Sequence, residues 1–136
     1  MPAGPGEFSR ELVRARARQR CEYCRQPQEF FKLRFHVEHI VPRQHGGGDE
    51  PDNLALACPA CNFHKGPNLT GIDPRTRRVE SLFHLRRDRW DDHFAYEGAH
   101  IVGKSPAGRT TVQLLEINGA ERLRFRALLA EIGELE

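Results

Sequence analysis

Four cysteines, and only four, occur in the chain, and they fall as two Cys-x-x-Cys pairs, Cys21/Cys24 and Cys58/Cys61, separated by 33 residues. Two residues between ligands let one knuckle offer both sulfurs to a single tetrahedral ion, and two knuckles complete a closed four-thiolate shell with no open position. A metal held that way is structural, and Zn²⁺ is the expected ion. A pair of disulfides and a redox Cys-x-x-Cys are the competing readings. Redox chemistry needs one pair rather than two, and the cytoplasmic setting expected for this chain disfavours disulfides. A staple also suits the composition: with 38% hydrophobic and 29% charged residues, 136 residues can build only a modest core.

The remaining composition excludes more than it assigns. No stretch approaches the roughly 20 apolar residues of a membrane helix. Residues 1–8 are rich in proline and glycine and lack an apolar core, so no signal peptide is expected there and the stretch reads as a disordered N-terminus. The formal charge of +2 falls to about zero once four thiols give up protons to a divalent ion. That argues against a strong non-specific nucleic-acid coat, so any such surface must be a local patch. Candidates are Arg10, Arg14, Arg16, Arg18 and Arg20, and further on Arg75, Arg77, Arg78, Arg86, Arg87 and Arg89. A solvated helix face or loop explains both runs equally well.

Along the chain, Ser9 is placed to cap a helix over residues 10–19. Residues 33–41 are rich in β-branched and aromatic side chains and read as a strand that Pro42 ends. Residues 43–52 read as a loop, 53–57 as a second short strand, and Pro59 opens a helix to Lys65. Beyond it, residues 66–78 look irregular with a turn at Asp73-Pro74, and 79–83 suggest a strand. A short helix carries Trp90 and Phe94, read as core aromatics, and residues 96–102 suggest a hairpin around Glu97-Gly98. Ser105-Pro106 reads as the cap of a helix to about Glu116, with a strand at Thr110, Thr111 and Val112 as the alternative. Asn118 with Glu121 resembles a capping box. Phe125, Leu128, Leu129 and Ile132 form the i, i+3, i+4, i+7 stripe of a last amphipathic helix.

Between and beside the knuckles lie His36-Val-Glu-His-Ile-Val-Pro42, Asp52-Asn53-Leu-Ala-Leu56 and Cys58-Pro-Ala-Cys-Asn-Phe-His-Lys65. Glu38 and His39 face opposite sides of a strand, so a bulge or a strand end is needed for both to reach one phosphate. Phosphodiester hydrolysis requires an activated water and charge stabilisation at the leaving oxygen. A neutral imidazole is the natural base near neutral pH. A hard divalent cation on oxygen ligands supplies the charge, and Glu38 and the Asn62 side-chain carbonyl are two such ligands.

This stretch resembles the HNH endonuclease family in its zinc-knuckle form, whose pattern is an acidic residue or His directly before a His, a middle Asn, and a His or Asn in the following helix. Glu38-His39, Asn53 and Asn62 stand in those positions, with steps of 14 and 9 residues from His39 to Asn53 and from Asn53 to Asn62. The same steps occur in the HNH domain of RNA-guided nucleases. The resemblance implies that His39 is the general base and that Glu38 and Asn62 hold the catalytic metal. It implies that Asn53 pins the loop between the strands by backbone hydrogen bonds without touching the ion. The Gly46-Gly47-Gly48 loop fits, as does Lys65 as a phosphate contact. His36 either supports the metal or phosphate or has a structural hydrogen-bonded role. Glu38 departs from the commoner Asp. Asn62, where other members carry His, favours Mg²⁺ or Mn²⁺ over a nitrogen-loving ion. The pattern covers residues 21–66, and the tail beyond it resembles that of small stand-alone prokaryotic HNH proteins.

The expectation is thus an α+β fold. It comprises a ββα-metal core (residues 9–66) clasped by Cys₄ zinc knuckles, an N-terminal helix, and a small α/β extension (67–136) packed on the core. The expected function is metal-dependent hydrolysis of DNA by a one-metal mechanism, in the cytoplasm and away from membranes. The alternatives are a non-catalytic zinc module that binds nucleic acid, and an RNA-directed nuclease. A protein partner or a homodimer is a further candidate source of specificity.

Overall fold

The computed structural model describes residues 4–136, and these divide into two compact units with the boundary between Asn62 and Phe63. Both mix helices with short antiparallel strand pairs: five α-helices and three two-stranded ribbons are present among the described residues. None of these helices is long and apolar enough to cross a membrane.

The first unit starts with α1 (Glu7–Arg16), three residues earlier than Ser9 suggested. Gly6 is the N-cap and no side chain caps the helix, so the expected Ser9 cap is corrected; Glu7 lies in the first turn, where its charge suits the helix dipole. The helix stops at Arg16 because Arg18 and Gln19 both take left-handed φ values of 58°. Residues 7 and 8 of the stretch expected to be disordered are helical, while residues 1–3 lie outside those described. α1 buries Val13 and turns its arginines inward: Arg14 Nη1 donates to the Phe35 carbonyl (3.0 Å), and Arg16 Nη2 donates to the carbonyls of Pro51 (3.0 Å) and Leu54 (2.7 Å).

β1 (His36–His39) pairs with β2 (Leu54–Ala57) in continuous one-to-one register, Glu38 opposite Ala55 and His39 opposite Leu54. β1 is shorter than the strand expected over residues 33–41. Gln28 takes over the hydrogen bonding ahead of it: its Oε1 accepts from Phe35 N–H (2.6 Å) and its Nε2 donates to Leu33 O (3.0 Å). Side-chain partners substitute there for a strand ladder. All four residues of β2 are fully buried, each leucine contributing roughly 1.5–3 kcal/mol. The backbone of Leu56 bonds to Glu22 in the first knuckle, its carbonyl accepting from Glu22 N–H (2.9 Å) and its N–H donating to Glu22 Oε2 (2.8 Å). α2 (Pro59–Lys65) follows directly, with Asn62 N–H closing its first turn on the Cys58 carbonyl (2.9 Å).

The second unit contains β3 (Thr70–Ile72) paired with β4 (Val79–Ser81), so a strand lies in the stretch read as irregular. Asp73 organises the turn between them, accepting from Arg75 N–H, Thr76 Oγ1 and both Nε and Nη2 of Arg109. α3 (Trp90–His93) leads into β5 (Phe94–Glu97), which pairs with β6 (His100–Gly103). Phe83, Trp90, Phe94 and Tyr96 stack in this core, as read from the sequence for Trp90 and Phe94. α4 (Pro106–Leu114) is capped by Ser105, whose Oγ accepts from Gly108 N–H (3.0 Å). Gly103 and Gly108 let β6, α3 and α4 close together: a Cβ on Gly108 would fall on the His93 carbonyl.

α5 (Ala120–Glu131) corrects two expectations. Its N-cap is Gly119, because the side chain of Asn118 is taken up elsewhere, accepting from Ile101 N–H and donating to Ile101 O. The helix buries Arg126 and Leu129, whereas Leu128 and Ile132 of the anticipated apolar stripe are 59% and 62% exposed. Arg126 sets that face by donating to the carbonyls of Ala99 and Ile117 and to Asn118 Oδ1.

Candidate metal centre and hydrolytic site

The two knuckles converge. The sulfurs of Cys21, Cys24, Cys58 and Cys61 all lie within 4.8 Å of one another, every one of these residues is buried, and none is in a disulfide. A tetrahedral Zn²⁺ with Zn–S bonds of about 2.3 Å sets sulfurs about 3.8 Å apart, and Cys24 and Cys58 are separated by 3.7 Å. Each knuckle is shaped by its backbone: Arg25 N–H bonds to Cys21 O (2.8 Å), and Cys61 N–H donates to Cys58 Sγ (3.4 Å). Burial pushes the Cys21 and Cys61 thiols up, so the metal-free cluster holds its protons and a divalent ion must displace them. The donor set, spacing and burial fit one structural zinc.

β1 delivers Glu38 and His39 to opposite faces. Glu38 is 8% exposed and hydrogen-bonds through its carboxylate to Tyr23, inside the first knuckle. Burial first, and the Glu38 charge second, push the Tyr23 hydroxyl well above its ordinary range, so it remains a donor. His39 is half-buried on the other face and is the last residue of the strand; the pairing contains no bulge. Its Nε2 lies 2.6 Å from Asp49 Oδ1, and Arg43 Nη2 grips both oxygens of the same carboxylate at 2.8 and 2.9 Å. These hydrogen bonds, from His39 first and then Arg43, hold the Asp49 carboxyl below its usual range. Neither Asp49 nor Arg43 was singled out from the sequence. Their only signal is an acid at the end of the glycine loop and a base after Pro42.

Asn53 organises that loop. Its Oδ1 accepts from Val41 N–H (2.9 Å), and its Nδ2 donates to Val41 O (2.9 Å) and Gly48 O (2.9 Å). With one N–H and two carbonyls as partners, only this amide orientation satisfies all three. Gly47 is indispensable to the packing, since a Cβ there would coincide with the Val41 carbonyl.

Asn62 sits half-buried on α2, next to Cys61, and its side-chain amide makes no hydrogen bond to another described residue. Glu38 and Asn62 are both hard oxygen donors, which fits an Mg²⁺- or Mn²⁺-type ion. Among the described residues, the cysteines are the only group of three or more His, Cys, Asp or Glu able to share an ion. His36 is exposed on β1, while Lys65 is 2% exposed. His64 is half-buried beside Glu116 (3.3 Å).

The first arginine run is not a free basic patch. Arg14 and Arg16 serve the carbonyls named above, Arg10 donates to Pro5 O and Arg20 to Arg25 O. In the second run Arg75, Arg77, Arg78, Arg87 and Arg89 are exposed.

Residues 21–68 match the family model described as HNH endonuclease, the family that the motifs resemble. No curated protein and no solved structure matches the chain.

Proposed function

Because residues 21–68 match the HNH endonuclease family, we propose that this protein is a metal-dependent endonuclease that hydrolyses phosphodiester bonds in DNA. In this reading β1, β2 and α2 form a ββα-metal core within residues 9–66, zinc fastens the core, and residues 67–136 are an extension. The observation that carries it is the position of His39. The imidazole stands at a strand end, with Nε2 on a carboxylate and the following loop fastened by Asn53.

The chemistry follows from the donors. His39 takes a proton from the attacking water, which an imidazole does efficiently because its proton affinity matches neutral pH. Glu38 and Asn62 would hold Mg²⁺ or Mn²⁺, which supplies positive charge against the phosphate and the departing 3′ oxygen. Asn53 keeps the loop, and through it the base, in place. His36 is exposed and free to meet substrate. A phosphate contact by Lys65 requires its ammonium to come to the surface.

Plasmid cleavage with Mg²⁺ or Mn²⁺ tests the proposal, with His39→Ala beside wild type and matched DNA and RNA duplexes as substrates. Cutting of DNA by wild type, lost in the variant at unchanged zinc content, is expected. Equal cutting by both would remove His39 as the base, and preference for RNA would change the substrate. No cutting by a folded, zinc-loaded protein would favour a binding module.

A further inference from the structure

We propose that Asp49 is a positioning residue for His39, fixing which imidazole nitrogen acts as the base. The inference rests on the reading of His39 given above. Asp49 is ionised and can only accept, so the proton in its 2.6 Å contact with His39 belongs to Nε2. That leaves the lone pair, and the role of proton acceptor, on Nδ1. The carboxylate does not swing freely, because Arg43 Nη2 reaches both of its oxygens.

The loop that carries Arg43 and Asp49 is itself fastened at Val41 and Gly48 by Asn53. Arg43, Asp49 and His39 therefore form one connected unit on a loop that Asn53 anchors at both ends of the eight-residue segment 41–48. When Nδ1 takes a proton from water, the ring becomes an imidazolium whose other N–H already faces a negative charge. The proton moves from water to Nδ1, the Nε2–H bond stays intact, and the carboxylate remains ionised. In this role Asp49 acts through the ring, by its contact with Nε2.

The test uses zinc-loaded full-length protein with ¹⁵N-labelled histidine. Wild type, Asp49→Ala, Asp49→Asn and His39→Ala are compared, the last also identifying the His39 signals. The ¹⁵N shifts of the neutral ring should show wild-type His39 as the Nε2–H tautomer. Asp49→Ala should give a mixture, while Asp49→Asn, whose Oδ1 still accepts from Nε2–H, should keep the tautomer. In DNA cleavage, Asp49→Ala should lower kcat about 10- to 100-fold with KM changed less than about twofold, and Asp49→Asn should lower it less.

A wild-type ring in the Nδ1–H form overturns the proposal. So does an Asp49→Ala protein with wild-type kcat while His39→Ala is inactive, an outcome that leaves the nuclease reading standing. A parallel loss of melting temperature and kcat in both Asp49 variants, with the tautomer unchanged, would make Asp49 a loop fastener only and also overturns it. If His39→Ala cuts as well as wild type, or if nothing cuts, the reading of His39 as the base fails and this inference falls with it.

Discussion

Replacing Asn53 with Asp changes one NH₂ group to an oxygen and should be as damaging as deleting the side chain. In Asn53→Ala three hydrogen bonds of 2.9 Å are lost. At about 0.5–1.5 kcal/mol each, the loop loses roughly 2–4 kcal/mol. The half-buried Val41 and Gly48 can partly rehydrate, which favours the lower end. Asn53→Asp retains the acceptor for Val41 N–H but removes both donors. It also places a carboxylate, at a site only 8% exposed, against the carbonyl oxygens of Val41 and Gly48. The one retained bond cannot offset two lost bonds and a buried charge facing two negative dipoles. The measurement is native-state amide exchange at Val41, read by NMR on zinc-loaded protein. A loss of 2–4 kcal/mol corresponds to exchange about 30- to 1,000-fold faster in Asn53→Ala, and Asn53→Asp should be at least as fast. An Asp variant with wild-type protection at Val41 would show that the amide does not hold the loop, and the argument for an anchored His39 would lose its foundation.

Metal analysis should find one zinc per chain, lost in Cys24→Ser or Cys58→Ser. A strong chelator should then unfold residues 21–61, because an ion of this kind contributes roughly 10–16 kcal/mol to folding; a chelated protein with an unchanged β1–β2 spectrum would refute this. Gly47→Ala should destabilise the loop by at least about 1–3 kcal/mol through overpacking against Val41, seen as faster exchange at Val41 with the zinc content intact. The Asp73 carboxyl is held far below its ordinary value of 3.8, first by its hydrogen bonds from Arg109. Its contribution to stability is therefore complete above about pH 4 and is withdrawn as pH falls below it toward the depressed value. Acid titration of the melting temperature should show that decline in wild type and a flatter one in Asp73→Asn.

What the sequence made legible was local or carried by ligand spacing. The Cys-x-x-Cys pairs, the start of α2 at Pro59 and the Ser105-Pro106 cap all depend on residues within one or two turns of each other. The features it concealed depend on tertiary partners. Arg14 and Arg16 read as surface charge, yet a guanidinium has five N–H donors, and here they satisfy carbonyls 21 to 38 residues away. Asn118 has the spacing of a capping box, but its amide pairs with both backbone groups of Ile101 instead. The apolar stripe of α5 misleads for a related reason, since a buried arginine decides which face turns inward. Glu38, His39, Asn53 and Asn62 could be named as a candidate set from their spacing. Asp49 could not, because nothing in the loop's composition shows that its carboxylate meets an imidazole ten positions earlier.

The backbone of β2 on the side away from β1 has a consequence for how the protein fails. A two-stranded ribbon offers a bare edge, and bare edges recruit other chains. Here Arg16 covers the carbonyl of Leu54, and Glu22 covers both backbone groups of Leu56. The plug at Leu56 belongs to the same knuckle whose Cys21 and Cys24 would hold the zinc. Loss of the ion would therefore uncover a four-residue strand of leucine and alanine, with no charge or proline within it to discourage pairing. A zinc at this site would guard solubility as well as shape: zinc-depleted protein should self-associate through β2 before it unfolds completely.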